Sequence, residues 1–362
     1  MKTQTLENPK SPSRDYFLNL TPGKLMGLRQ ITDPRHRFKV FALDQSNSFK
    51  KALRKLHEKT GNKSEPSYEE IRDAKLELVE VLGPFASAIL LDVNYGARQA
   101  LNAFVLPKNV GLIVRVEASR DAGIPGEVEP GWGVENIKRM GASAVKLLVY
   151  LDIEDKEKTK TQLKFVEFIW EECQKQDILL MIEELSYPRV GEEKTSPAYL
   201  SRKSKNVLEA TKLIGPYADI LKLEFPVDLK ALSPQATKEA LGKLNEAAIR
   251  PWVLLSAGEK FEIFSQQVEL AMQAGSSGYM AGRAIFNEYF EQPTTGERTK
   301  FLKTTGMERI KKLNTLVDQY ATPWMDRYHL RPEDLAPAVS PQWYLGEEKP
   351  ASHPAGTTTG DY

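Results

Sequence analysis

Two lysines stand where lysines are costly. Lys222 lies within Ile220-Leu221-Lys222-Leu223-Glu224-Phe225, and Lys146 within Ala144-Val145-Lys146-Leu147-Leu148-Val149. Both stretches read as short buried strands. Burial disfavours an ammonium and lowers its pKa, and two cations facing one interior depress each other further. A partly neutral lysine is a nucleophile that can attack a ketone and form a Schiff base. Either lysine could be that nucleophile, with the other acting electrostatically. The plainer alternative is a structural ion pair, with Glu224 as the nearest carboxylate in sequence. Side chains alternate along a strand, so Ile220, Lys222 and Glu224 share one face. Glu183 shares its strand face with Met181 and Leu179. A carboxyl beside apolar neighbours has a raised pKa and suits general acid–base work. Its neighbour Glu184 points the other way and reads as structural.

Other polar groups fall at the ends of predicted strands. Leu255-Ser256-Ala257-Gly258 and Ala281-Gly282-Arg283 each run from a strand toward a helix. Glycine turns before helices present free backbone N–H groups that attract phosphate, and Arg283 adds a guanidinium. Asp44-Gln45-Ser46-Asn47 supplies hydrogen-bonding groups after the first strand. Asp44, Asp92, Glu117, Glu183 and Glu224 all close strands, so they are expected to converge at one rim.

The elements that must position these groups are regular. Strands are predicted at 38–44, 86–92, 110–117, 143–150, 178–183, 219–224, 250–256 and 278–281, with helices between them. A polar insert at about 57–67 is expected before a helix starting near Tyr68. A short helix is expected at 21–30, and a last one within 297–320. Strand–helix alternation of this kind favours a parallel sheet, and eight units match a closed (β/α)8 TIM barrel. A doubly wound open sheet is the alternative, but no Gly-x-Gly-x-x-Gly or phosphate-loop motif follows the first strand. The expected organisation is an N-terminal arm at 1–30, a barrel at 31–325 and a proline-rich extension at 326–362, disordered at its end. Residues 1–20 read as mobile, and Trp324 and Trp343 as pins for the segment before the tail.

Composition narrows the function. The 362 residues carry 50 Lys plus Arg against 49 Asp plus Glu, which argues against a broad nucleic-acid footprint. The single cysteine, Cys173, reads as a helix-packing residue in a reducing compartment. A polar N-terminus without an apolar signal core, and no apolar run of spanning length, point to a soluble cytoplasmic protein without a membrane partner. His36, His57, His329 and His353 lack metal-ligand spacing, so no metal or other cofactor is expected. Exposed barrel helices often pair, which leaves a homo-oligomer open.

Taken in order, these stretches resemble the class I tagatose-1,6-bisphosphate aldolase family, with its sulfofructose-phosphate aldolase relatives. The matching residues are Phe41-Ala42-Leu43-Asp44-Gln45, Ile89-Leu90-Leu91-Asp92, Ala144 to Tyr150, Glu183-Glu184-Leu185-Ser186-Tyr187, Asp219 to Val227, Leu255-Ser256-Ala257-Gly258 and Gly282-Arg283-Ala284. The resemblance implies a barrel in which Lys222 forms the Schiff base and Glu183 transfers protons. It implies Lys146 and Asp44 as active-site partners, and Ser256, Gly258 and Arg283 as phosphate contacts. Gln45, Asp92, Glu224 and Gly282 are further candidates for substrate binding. The implied reaction is metal-independent cleavage of a sugar phosphate, foremost tagatose 1,6-bisphosphate, to dihydroxyacetone phosphate and glyceraldehyde 3-phosphate. Fructose 1,6-bisphosphate and sulfofructose phosphate are alternative substrates. A non-covalent barrel isomerase and a sugar-phosphate-binding protein are alternative functions. One departure bears on the substrate. The family commonly carries Arg-Gly after Asp-Gln, where this chain has Ser46-Asn47. An arginine there could hold a second anionic group.

Overall fold

The computed structural model describes residues 12–335. Eight parallel strands close on themselves in sequence order, β1 to β8. They are Phe38–Leu43 (β1), Ala88–Leu91 (β2), Gly111–Arg115 (β3), Ala144–Tyr150 (β4), Leu179–Leu185 (β5), Ile220–Leu223 (β6), Trp252–Leu255 (β7) and Gly278–Ala281 (β8). Closure is direct, because β1 pairs with both β2 and β8. The TIM-barrel expectation holds.

Alternation along each strand sorts the apolar residues into two cores. Val40, Leu90, Ile113, Met181, Ile220, Val253 and Met280 fill the barrel interior. Phe41, Ile89, Leu112, Val145, Ile182, Leu221 and Leu254 face outward onto the helices. Helices Pro12–Leu18 (α1) and Pro22–Ile31 (α2) precede β1, and the helices that cover the strands are Asn47–Lys59 (α3), Tyr68–Leu82 (α4), Ala97–Asn102 (α5), Val134–Arg139 (α6), Lys156–Lys175 (α7), Pro197–Ile214 (α8), Pro234–Ala247 (α9), Phe261–Gln273 (α10), Arg283–Phe286 (α11), Thr295–Phe301 (α12) and Met307–Tyr320 (α13). Side-chain caps begin several of them. Ser67, Asp155, Ser196 and Ser233 accept first-turn N–H groups of α4, α7, α8 and α9.

Helix α3 was not anticipated. It enters the stretch expected as a polar insert, and its burying face is Phe49, Leu53 and Leu56. That spacing is helical, so the signal was present but was masked by the surrounding lysines. The N-terminal segment also differs from a mobile arm, since 12–18 form α1. Phe17 of α1 is buried, stacked on Tyr328 at 4.4 Å and packed on Trp324 at 5.3 Å. Residues 1–11, Trp343, His353 and the tail expected to be disordered lie outside the described residues.

These segments plug the end of the barrel opposite the predicted site. Phe17, Leu28, Ile31, Trp324, Met325 and Tyr328 pack beneath Phe38, Ala144 and Leu179. Asp219, just ahead of β6, ties the plug down. It accepts hydrogen bonds from Tyr16, from Lys24 Nζ at 3.0 Å and from Leu180 N at 2.7 Å. Helix α2 approaches so closely that a Cβ on Gly27 would lie 2.5 Å from the carbonyl oxygen of Ser143 and 2.8 Å from Leu179 Cδ1.

This contact reverses an ordinary propensity rule. Glycine inside a helix normally costs roughly 1 kcal/mol relative to alanine. At Gly242 of α9 a Cβ meets nothing within 4 Å, and Gly242→Ala is expected to raise the unfolding midpoint. Gly27→Ala is expected to lower it, because overpacking costs about 1–3 kcal/mol. Thermal melts of the two variants beside the parent check both signs.

Candidate active site

The C-terminal ends of the strands open into a cavity of about 420 Å³. Strand register sets its floor. Lys146 of β4 is level with Arg115 of β3, and Glu183 of β5 is level with Lys222 of β6. All four side chains line the cavity, with Asp44, Gln45, Glu117, Tyr150, Tyr187 and Arg283 around them.

Lys146 holds the centre. Its ammonium, 1 % exposed, lies 3.0 Å from Asp44 Oδ2, 2.8 Å from Glu117 Oε1 and 2.8 Å from Glu183 Oε2. One ammonium thus meets three carboxylates drawn from the ends of different strands, donating hydrogen bonds to Asp44 and Glu117. Lys222 has one such partner. Its Nζ lies 2.9 Å from Glu183 Oε2, the same oxygen that Lys146 engages.

This arrangement overturns two expectations. Burial alone would lower the pKa of Lys146, but Asp44, Glu117 and Glu183 outweigh it and hold that pKa well above the ordinary lysine value. Lys146 is therefore a fixed cation rather than a nucleophile in waiting. Burial alone would raise Glu183, yet Lys146 and Lys222 outweigh it and bring the pKa below the ordinary glutamate value. The apolar neighbours predicted the opposite, because two ammonium groups on the flanking strands β4 and β6 cannot be read from one strand. Asp44 is likewise held well below the carboxylate range, chiefly by Lys146 against the cost of burial. Glu117 goes the other way. Burial raises its pKa more than Lys146 and Arg115 lower it, and its Oε2 has no hydrogen-bond partner.

Five candidates do not line the cavity: Ser256, Gly258 and Gly282 stand in the turns beside it, and Asp92 and Glu224 face elsewhere. Asp92 is fully buried against Lys75 of α4, which also donates to the carbonyl of Leu43 at 2.9 Å. The Asp92 carboxylate also accepts from Tyr95 N at 2.9 Å, so it fastens a turn behind the mouth. Glu224 lies beyond the last residue of β6, and the alternation that aligned it with Lys222 ends there. Its Oε2 accepts from Ser186 N at 2.9 Å and Ser186 Oγ at 2.6 Å, and Lys203 of α8 is 3.9 Å away. Glu184 lies behind it, fully buried, with its pKa raised by burial and by Glu224. Glu184 points away from the cavity as expected.

The end expected to bind an anion is built from backbone. Ala257 and Gly258 both adopt left-handed φ, at 48° and 84°, in the turn that leads to α10. A side chain at 258 would reach within 3.0 Å of the guanidinium carbon of Arg283, so glycine allows the two loops to meet. Ala257 and Arg283 line the cavity. Ser256 sits at the turn and accepts Glu259 N through its carbonyl at 2.8 Å. Gly282 is packed under it all, since a Cβ there would lie 2.2 Å from the carbonyl of Ala42. Gln45 donates weakly to Ala42 O and Asp44 Oδ1, and its Oε1 is buried without a partner.

Arg115 was missed. It is a cation inside Gly111-Leu112-Ile113-Val114-Arg115, the same signal that singled out Lys146. The 118–122 loop, Lys51 of α3 and Lys194 also line the cavity, and they carried no periodic signal.

Residues 41–288 match the sequence model of the DeoC/LacD family aldolases. Tagatose 1,6-diphosphate aldolase 2 of Streptococcus agalactiae serotype III (strain NEM316) is 30 % identical over 335 residues, covering 85 % of this chain and 99 % of that protein. The tagatose 1,6-diphosphate aldolase of Staphylococcus aureus (strain bovine RF122 / ET3-1) is 31 % identical over 330 residues, covering 84 % and 98 %. Among solved structures, the fructose-bisphosphate aldolase of Plasmodium falciparum superposes with a TM-score of 0.64 at 13 % identity, covering 84 % of this chain and 97 % of that one. An archaeal fructose 1,6-bisphosphate aldolase gives 0.53 at 15 %, covering 81 % and 98 %. The structural likenesses are of fold. The sequence match spans every strand that contributes to the cavity, and the chain belongs to the DeoC/LacD family of aldolases.

Proposed function

We propose that this chain is a class I aldolase that cleaves a phosphorylated ketose, tagatose 1,6-bisphosphate foremost, through a Schiff base on Lys222. The observation that carries the reading is one carboxylate oxygen shared by two buried lysines. Glu183 Oε2 lies 2.9 Å from Lys222 and 2.8 Å from Lys146 at the floor of an open cavity. The two lysines are not equivalent. Lys146 lies within 3.0 Å of three carboxylates and donates hydrogen bonds to Asp44 and Glu117, while Lys222 has Glu183 as its one carboxylate partner among the described residues.

The steps follow from that asymmetry. Glu183 takes a proton from Lys222, whose free amine adds to the substrate ketone. Glu183 returns that proton to the carbinolamine hydroxyl, which leaves as water and gives the iminium. The iminium nitrogen then accepts the electron pair of the breaking carbon–carbon bond, while Glu183 removes the proton of the hydroxyl that becomes the aldehyde. Reprotonation of the enamine carbon and hydrolysis return the amine and release dihydroxyacetone phosphate. Lys146 keeps Glu183 ionised as a base at the start of each cycle. Arg283 and the turn at 256–258 suit a phosphate ester, which would fix the reacting carbons near Lys222. The names of the curated relatives support tagatose 1,6-bisphosphate as substrate. Metal independence is supported by the Lys146 ammonium, which occupies the space between Asp44, Glu117 and Glu183.

Borohydride added with dihydroxyacetone phosphate should leave a permanent mass increment on the peptide containing Lys222, read by mass spectrometry. Lys222→Arg should lose both the adduct and cleavage while keeping its circular dichroism. Turnover without an adduct would instead favour a non-covalent isomerase, and binding without turnover a sugar-phosphate-binding protein. Glu183→Gln should slow cleavage by roughly 10²- to 10⁴-fold in a coupled assay, and a loss below about tenfold would remove it from proton transfer. Activity should survive exhaustive chelation; restoration of a chelated, inactive enzyme by zinc would exclude the Schiff-base route.

A further inference from the structure

Arg115 is a buried cation that hydrogen-bonds no carboxylate among the described residues. It lies on β3, 5 % exposed, and lines the cavity. Four of its five N–H groups go to neutral oxygens. Nη1 donates to Asp44 O at 3.0 Å and Ser119 Oγ at 2.9 Å, and Nη2 to Ser46 Oγ at 3.3 Å and Asn94 Oδ1 at 3.2 Å. The fifth, Nε–H, is buried with no partner. The nearest paired carboxylate is Glu129, at 3.7 Å. A buried donor left unmade is expensive, and a guanidinium suits tetrahedral oxyanions by shape and charge.

The surroundings add donors. Ser46 and Ser119 both line the cavity, and each uses its oxygen to accept from Arg115. Each hydroxyl hydrogen remains free to donate, with no acceptor among the described residues. Arg115 Nε–H and two serine O–H groups therefore form a compact set of donors around one positive charge. The barrel order separates this set from the other guanidinium. Arg283 follows β8, three strands from β3 around the ring, and Lys222 on β6 lies on the longer arc between them.

We infer that Arg115, with Ser46 and Ser119, binds the second anionic group of the substrate, a terminal phosphate ester or sulfonate at the end remote from the anion held by Arg283. The substrate then spans the mouth from β8 to β3, with its carbonyl toward Lys222. This assignment gives Ser46 a role at the position where an arginine would otherwise follow Asp44-Gln45, and it moves the positive charge from the β1 loop to β3. It rests on the aldolase reading above and specifies the substrate class further.

Three substrates separate the outcomes: a ketose 1,6-bisphosphate, the 1-phosphate carrying a 6-sulfonate, and the 1-phosphate alone. Arg115→Gln should raise KM for the doubly anionic substrates by about 10- to 100-fold and cost the 1-phosphate at least tenfold less, because only the doubly anionic substrates lose a charge-assisted contact. Arg115→Lys should recover part of the loss, and Ser119→Ala should show a smaller loss of the same kind. The two doubly anionic substrates tell phosphate from sulfonate by which one suffers the larger loss. Borohydride trapping of dihydroxyacetone phosphate on Lys222, which needs only one anion site, should still occur in Arg115→Gln and serves as its folding control. Equal losses on all three substrates, or no loss on any, would overturn the inference while the trapping result upholds the aldolase. If Arg115→Gln fails to trap, Ser119→Ala and Arg115→Lys decide by the same comparison. Absence of trapping in the parent enzyme would bring down the aldolase reading and this inference with it.

Discussion

The Lys146 ammonium is the constraint around which the mouth of the barrel is built. It lies among Asp44, Glu117 and Glu183, contributed from the ends of three other strands, at 3.0, 2.8 and 2.8 Å. None of these charges would be tolerable alone at such burial. Removing one partner of a buried ion cluster leaves the rest uncompensated, at about 3–5 kcal/mol. The cluster therefore fixes the relative positions of β1, β3, β4 and β5 at their catalytic ends. It also decides ionisation, since Asp44 and Glu183 are held charged while Glu117, with an unpartnered oxygen, is pushed toward its neutral form.

That cluster distinguishes two lysines that look alike in sequence. Both sit on inward faces of short apolar strands. One is enclosed by three carboxylates, and the other meets a single carboxylate oxygen that it shares. In the proposed mechanism reactivity goes with the less committed amine. Glu183 couples the pair, so a proton leaving Lys222 stays within reach of a fixed positive charge. The same logic extends across the mouth, where Arg115 and Arg283 stand on separate arcs of the ring.

The opposite end of the barrel is closed by the chain's own flanks. Helices α1 and α2 and the segment around Trp324 pack beneath the inner layers, and Asp219 fastens them to the start of β6. Lys222 lies three residues along from that anchor. Sealing one end confines the polar interior to the other, where water and substrate enter. Glycine at 27 is what allows the seal to sit so close.

Strand–helix alternation, the eight apolar segments and the period-two placement of Lys146, Glu183 and Lys222 were all set by sequence, because each depends on neighbours within a few residues. So were the glycine turns after β7 and β8, whose conformations follow from local backbone sterics. What crossed the ring was not legible. The lowered Glu183 and raised Lys146 arise from charges on other strands, and Asp92 and Glu224 turn to Lys75 and Ser186 because the chain leaves the strand before them. Arg115 carried a readable local signal, a charge in an apolar strand, but its orphaned Nε–H exists only once Asp44, Ser46, Asn94 and Ser119 are folded around it. Local periodicity determines which residues face inward; only closure of the barrel brings opposite strands within Coulombic reach, and that distance decides what each inward-facing group can do.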